Sequence, residues 1–253
     1  MMKKTRNKID LVAFDLDDCL FDSTGLSRRA RIKGIEAMLK LGLKIDRERA
    51  IRILMEIVDE YGSNFSKHYN YFIRRLNQVY EDFDISFNMK YKFISAAVMA
   101  YHKEKIESIK LYDDVIPILK DLKEKDIKTA IITDGIPIKQ WEKILRLDLD
   151  PLIGLVIISD QIGVRKPNPW LFEFCLNEVG VKGEEAIYIG DRIERDIVPA
   201  NKNHIYSVYI HRGGKYDTYT KRDNLRKYET PNFEIESLDE LSNIIDTINK
   251  NRE

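Results

Sequence analysis

The sequence predicts a doubly wound, mainly parallel α/β sheet into which an all-helical domain is inserted. Three observations carry this. Short apolar runs alternate with helical patterns; the first two runs are separated by roughly 90 residues without a strand pattern, far beyond an ordinary connection; and acids, a lysine and a threonine collect where the runs end.

The elements follow in order. Residues 11–16 (LVAFDL) have the length of a buried strand in a parallel sheet. Residues 129–133 (TAIIT), 155–159 (LVIIS), 186–189 (AIYI) and 205–210 (IYSVYI) repeat it, and 233–235 add an edge strand. Helical patterns lie between them at 115–125, 137–147, 169–179 and 194–201, with a last one at 238–248. Pro117 sits near the start of the first, where a missing N–H costs little. Strand alternating with helix reads as a doubly wound, Rossmann-like sheet. The long interval reads as helices at 25–41, 47–61, 65–80 and 88–109, with Ile32, Ile35, Leu39 and then Ala50, Ile53, Leu54, Ile57 spaced along one helix face. The expected division is an α/β core domain of residues 1–22 and 110–253 and a helical cap domain of 23–109.

Composition narrows the partners. With 253 residues, 43% hydrophobic and 33% charged, the chain can build and cover a core. Lys plus Arg and Asp plus Glu are both 42, so the basic excess of a nucleic-acid or anionic-membrane binder is missing. The two cysteines, Cys19 and Cys175, make no CxxC and no disulfide framework. MMKKTRNKID is cationic, but the apolar run after it falls short of a signal-peptide core of about 7–15 residues. No stretch reaches the roughly 18 apolar residues of a membrane span. The expectation is a soluble, cytoplasmic protein with no nucleic-acid or membrane partner. The polar, basic segment 211–228 reads as a solvated excursion rather than a nucleic-acid arm, and the Tyr-rich 69–80 as packing or a homodimer surface.

The chemistry sits at the strand ends. The first strand runs into Asp15, Asp17 and Asp18; the second ends at Thr133, Asp134 and Gly135; Arg165 and Lys166 follow the third; Gly190 and Asp191 end the fourth, with Asp196 a helical turn on. In an open α/β sheet, ligands bind outside the carboxyl ends of the strands. Each group alone is weak evidence, since a GD pair is often a turn and a lone lysine a surface charge. Their convergence on one edge is the signal. Asp15 and Asp17, two residues apart, share a face of an extended chain and can flank one atom.

AFDLDDCLFDS, IITDG, RKPNP and GDRIERD resemble the four motifs of the haloacid dehalogenase superfamily of hydrolases, and the insertion after the first strand resembles the helical cap of its subfamily I. The likeness extends over essentially the whole chain, including PNFEIESLDEL, and is greatest to the glyceraldehyde-3-phosphate phosphatase-like group. It implies a Mg²⁺-dependent phosphatase of small phosphate monoesters, of sugar or triose phosphate type, working through an aspartyl-phosphate. Asp15 would be the nucleophile, and Asp17 would protonate the leaving oxygen and then take a proton from water. Asp15, Asp191 and the backbone carbonyl of Asp17 would hold the metal, an all-oxygen set that suits Mg²⁺ rather than zinc. Asp196 would orient a water or Lys166 from behind. Thr133, Asp134 and Lys166 would bind the substrate, Lys166 and the Thr133 hydroxyl at the phosphoryl oxygens. The bland alternatives are a helix N-cap for Thr133 and a surface charge for Lys166.

Within the superfamily, dehalogenases carry an aromatic residue at the place of Asp17 and phosphonatases a small one, so Asp17 implies a phosphatase or phosphomutase. A mutase or dehalogenase relative remains the alternative, as does a catalytically silent regulator, which would be expected to have lost Asp15, Lys166 or Asp191. Cys19 stands where the motif usually has Thr or Val and reads as a small buried hydrophobe. His204 stands where Gly is usual, and Asn203 is expected to supply any positive φ needed there. The resemblance leaves substrate choice to the cap. Its stretch 64–69 reads first as a helix start capped by Asn64 or Ser66, and otherwise as a face toward the site.

Overall fold

The computed structural model of the chain describes residues 8–79, 85–214 and 226–250. The cationic first residues, Tyr80 and most of the 211–228 segment lie outside them. Two compact units form, one of Met1–Thr24 with Lys110–Glu253 and one of Gly25–Ile109.

The first unit holds a six-stranded sheet in the order β3-β2-β1-β4-β5-β6, every pair parallel. The strands are β1 (Leu11–Phe14), β2 (Lys128–Thr133), β3 (Leu155–Ile158), β4 (Ala186–Gly190), β5 (Tyr206–Ile210) and β6 (Phe233–Ile235). All four residues of β1 are buried, as a central strand covered on both faces requires. On one face Leu11, Ala13, Ala130, Ile132 and Tyr188 pack against Leu171, Phe172 and Leu176 of a helix at Trp170–Val179. Because β2 lies on one side of β1 and β4 on the other, the chain reverses direction across the sheet between β1 and β4, and the crevice at their carboxyl ends is where such folds bind ligands. Asp15 and Asp191 emerge there.

The helices of this unit mostly follow the expected pattern: α5 (Val115–Glu124), α6 (Pro137–Arg146), α8 (Trp170–Val179) and α10 (Leu241–Lys250), with a short α7 (Ser159–Ile162). One differs. The single helix expected at 194–201 is a π-helical turn at Ile193–Ile197 followed by α9 (Val198–Lys202). Wide turns of this kind recur at functional sites, and this one buries the Asp196 side chain completely.

The second unit contains α1 (Ser23–Lys40, which starts in the first), α2 (Arg47–Tyr61), α3 (His68–Gln78) and α4 (Phe87–Glu107). Its core gathers Ile35, Met38, Leu54, Ile57, Phe72, Ile73 and Leu76. Helix α3 starts three residues later than the pattern suggested. Phe65 instead closes a turn, its amide donating to the Gly62 carbonyl at 3.2 Å and its ring stacked on Tyr61 at 4.9 Å. Neither Asn64 nor Ser66 caps the helix: the N-cap is Lys67, with no side-chain bond to the first turn. Tyr69 is buried in the core, and Tyr71, partly buried, packs against that core and on Tyr61 and Phe65.

A buried ion pair ties the segment after β5 to the start of α5 and the turn after β1. The Arg212 guanidinium donates to both Asp114 oxygens at 2.7 and 3.0 Å and to the Cys19 carbonyl at 3.1 Å, and lies over the Tyr112 ring. Asp114 also accepts from the Ser237 hydroxyl and the Leu238 amide. Both side chains are less than a tenth exposed. Asp114→Ala strands the cation without its partner and is expected to cost about 3–5 kcal/mol, read as a lower midpoint in urea unfolding.

Candidate active site

Asp15 is the first residue beyond β1; its amide donates to the Ile189 carbonyl of β4, which fixes the backbone against the neighbouring strand. Its carboxylate accepts from the Leu16 amide at 2.8 Å and pairs with Lys166 at 2.9 Å. Burial pushes the Asp15 carboxyl upward, helped by Asp196 and Asp17 and opposed by Lys166.

Lys166 is no surface charge. It is 4% exposed, and Nζ reaches Asp15, Asp196 Oδ1 at 2.7 Å and the Tyr188 hydroxyl at 3.2 Å. Burial alone would lower its pKa, but Asp15 and Asp196 outweigh burial and hold the ammonium charged. Asp196 also accepts from Tyr188 at 2.9 Å and from the Arg192 amide at 3.1 Å. Gly190 makes this packing possible, since a Cβ there would fall 2.5 Å from the Asp196 side chain.

Asp191 follows Gly190 at the end of β4. Its Oδ1 is buried with no hydrogen-bond partner among the described residues. Burial raises its pKa, and the neighbouring Asp196 and Asp15 raise it further. A cavity of about 240 Å³ opens beside it, bordered also by Asp18, Asp22 and Arg212.

Carboxylate oxygens of Asp15, Asp191 and Asp196 lie within 4.8 Å of one another. They are not equivalent. Both oxygens of Asp196 already accept hydrogen bonds, whereas Asp191 keeps an orphaned acceptor and Asp15 keeps capacity beyond Lys166. A buried acceptor without a donor, in a cluster where like charges raise each other's pKa, fits a hard divalent cation on Asp15 and Asp191. The Asp17 carboxylate stands apart from the three.

Asp17 is held instead by two residues the sequence did not single out. Lys143 Nζ lies 2.7 Å from each Asp17 oxygen, and Gln140 Nε2 lies 3.2 Å from Oδ2. Burial pushes the Asp17 carboxyl up, but Lys143, with Ser23 and Gln140, brings it below the usual range. Gln140 also bonds Thr133 Oγ1 at 2.6 Å and the Asp134 carbonyl at 3.0 Å. Thr133 is buried at the end of β2 and does not cap α6, whose N-cap is Ile136. Gln140 and Lys143 are three apart and share one helix face next to the Asp134-Gly135 turn, but that spacing alone does not turn the face toward Asp17.

The remaining residues divide plainly. The Asp134 carboxylate accepts from the Lys166 amide and from Arg195, so its side chain fixes the lysine loop. Asp18, at φ 61°, accepts from the Thr24 amide and hydroxyl and so starts α1. Cys19 is buried, and burial with nearby Asp15 pushes its thiol pKa up, against a reactive thiolate. The positive φ expected of Asn203 belongs to His204, at 58°. No helix of the described residues is long and apolar enough to cross a membrane.

Residues 9–203 match the family described as haloacid dehalogenase-like hydrolase. The chain is 40% identical over 239 residues to the glyceraldehyde 3-phosphate phosphatase of Methanopyrus kandleri, covering 94% of this chain and 97% of that one. It is 39% identical over 242 residues to the protein of the same name from Pyrococcus furiosus, covering 96% and 95%. The crystal structure of a phosphatase of the same superfamily from Thermococcus onnurineus superposes with a TM-score of 0.58 at 24% identity, covering 93% of this chain and 97% of that one, which speaks to the fold.

Proposed function

The chain belongs to the haloacid dehalogenase-like hydrolases and hydrolyses small phosphate monoesters, and we propose that it does so through an aspartyl-phosphate on Asp15, with a triose phosphate as substrate. The observation that carries the reading is Asp15 paired with the buried Lys166 at the carboxyl end of the central strand, with Asp191 beside it. Asp15 Oδ attacks phosphorus as the ester P–O bond breaks, and Asp17 protonates the departing alkoxide. Asp17, now a base, takes a proton from water; the water oxygen attacks phosphorus, phosphate leaves, and the Asp15 carboxylate returns. Lys166 and Thr133 stabilise charge on the phosphoryl oxygens. Asp15 and Asp191, with the Asp17 carbonyl, would hold a Mg²⁺ ion, which when bound neutralises phosphate charge and orients the group. Glyceraldehyde 3-phosphate, the compound in the relatives' names, is the first to assay in a turnover screen over phosphorylated metabolites. A preference for long-chain or macromolecular phosphates would overturn the substrate class.

Asp17 rests as a carboxylate on Lys143, ready as the base of the second step; to serve as the acid it must leave Lys143 and gain a proton. Asp17→Asn is therefore expected to damage turnover of alkyl phosphates by about 10²–10⁴-fold and of para-nitrophenyl phosphate far less in its first step, since a good leaving group needs no proton. Burst kinetics with the two substrates separates the steps. Equal losses in the first step for both would remove Asp17 from the acid role.

A further inference from the structure

The helical unit buries a cation that its own packing does not explain. Arg31 lies on the inner face of α1 with Leu26, Ala30, Gly34, Ile35 and Met38, and is 6% exposed. Its Nη2 donates to the Ser63 carbonyl at 2.8 Å. Its Nε is buried with no hydrogen-bond partner, and no carboxylate pairs with it among the described residues. An unpaired buried charge is among the most destabilising features a core can hold. Arg212 shows what a structural buried arginine looks like in this same chain: a carboxylate on two nitrogens, a carbonyl on the third and a ring beneath. Arg31 has one carbonyl.

Its surroundings are suited to a negative partner. Ser63 belongs to the exposed loop Gly62-Ser63-Asn64 that leads into α3, so the guanidinium lies under a segment open to solvent. Helix α3 starts at His68 with no side-chain cap on its first turn, and helix N-termini favour anions. Tyr69, in that first turn, donates its hydroxyl to the Arg31 carbonyl at 3.2 Å, which ties α3's start to the arginine. The neighbouring imidazole adds no competing charge: burial lowers the His68 pKa and the Arg31 charge lowers it further, against the pull of the Gly62 carbonyl at 3.0 Å.

We propose that Arg31, the Ser63 loop and the uncapped start of α3 form an anion site in the helical unit, taking a small oxyanion of the phosphate class on the guanidinium edge that carries Nε. A guanidinium presents parallel N–H donors that match two phosphate oxygens, and the anion supplies the missing countercharge. The inference uses the helical unit alone and does not depend on the chemistry assigned to Asp15. The phosphate class has two sources, free inorganic phosphate and the phosphate group of an organic ester.

The test is a titration of the full chain, labelled with ¹⁵N at arginine Nε and followed by NMR. It is run in the Asp15→Asn background with EDTA, so that esters are not turned over. The Arg31 signal is assigned by its loss in Arg31→Lys or, should that variant not fold, by sequential assignment through Ile32. Inorganic phosphate is expected to move the Arg31 Nε–H signal saturably, with half-saturation on the order of 1 mM or below, while chloride at equal ionic strength leaves it in place. A second arm with glycerol 3-phosphate assigns the source: saturation at least tenfold lower than for inorganic phosphate marks an ester group, and the reverse marks the free ion. An Arg31 signal that phosphate and glycerol 3-phosphate both leave unmoved, or that moves equally in chloride, overturns the site.

Discussion

Asp15→Asn is expected to lower turnover by about 10⁴-fold or more while the protein stays folded. The amide keeps the shape of the carboxylate, and its oxygen can still accept from Leu16 N and Lys166 Nζ, which hold it at 2.8 and 2.9 Å. It cannot attack phosphorus, so no phosphoryl-enzyme forms. The fold should not suffer. Burial and two nearby acids already work against a charge at Asp15, and Lys166 keeps Asp196 as its counter-ion at 2.7 Å. Two measurements check this. Steady-state turnover should fall to the background, and acid-quenched mixtures with radiolabelled substrate should show label on the Asp15 peptide in the wild type and none in the variant. Residual activity within tenfold of wild type, with an unchanged thermal midpoint, would remove Asp15 from the nucleophile's role.

Much of this site was legible in the sequence because a parallel sheet brings its strand ends to one edge. Leu11–Phe14, Lys128–Thr133 and Ala186–Gly190 are neighbours, so the residues that follow them, far apart in the chain, become neighbours too. Not every side chain that reaches the site from a helix was legible: Asp196 was, whereas Gln140 and Lys143 were not. Whether Gln140 and Lys143 face Asp17 depends on the rotation of α6, which its packing fixes and its composition does not. Tyr188 reads as one more apolar residue of β4, yet its hydroxyl joins Lys166 and Asp196. The same holds for Arg31, a charge among the charges of α1 until the fold buries it. Helix ends were the least legible. The α3 start was shifted by Phe65 stacking on Tyr61, a contact between side chains that local capping rules do not register.

Exhaustive chelation with EDTA is expected to silence the enzyme, by about 10³-fold or more, and Mg²⁺ to restore it. Asp15, Asp17, Asp191 and Asp196 bring four carboxylates to the site against two ammonium groups, and both lysines are already committed: Lys166 between Asp15 and Asp196, and Lys143 to Asp17. A phosphate dianion entering such a site meets net repulsion, unscreened where water is excluded. Burial and the neighbouring acids raise both Asp15 and Asp191, and the Asp191 Oδ1 has no donor among the described residues. A divalent cation removes that imbalance. Mn²⁺ and Co²⁺ should substitute for Mg²⁺, while Ca²⁺ should bind and support little turnover, since its larger, looser shell holds phosphate less tightly in line. Asp191→Ala should raise the Mg²⁺ concentration needed for half-activity far more than it raises KM at saturating metal. Binding is also readable without turnover. Mg²⁺ should raise the thermal midpoint of the wild type in proportion to its occupancy and do so far less in Asp191→Ala. Full activity after chelation, or an equal midpoint shift in both proteins, would place the cation elsewhere or dispense with it.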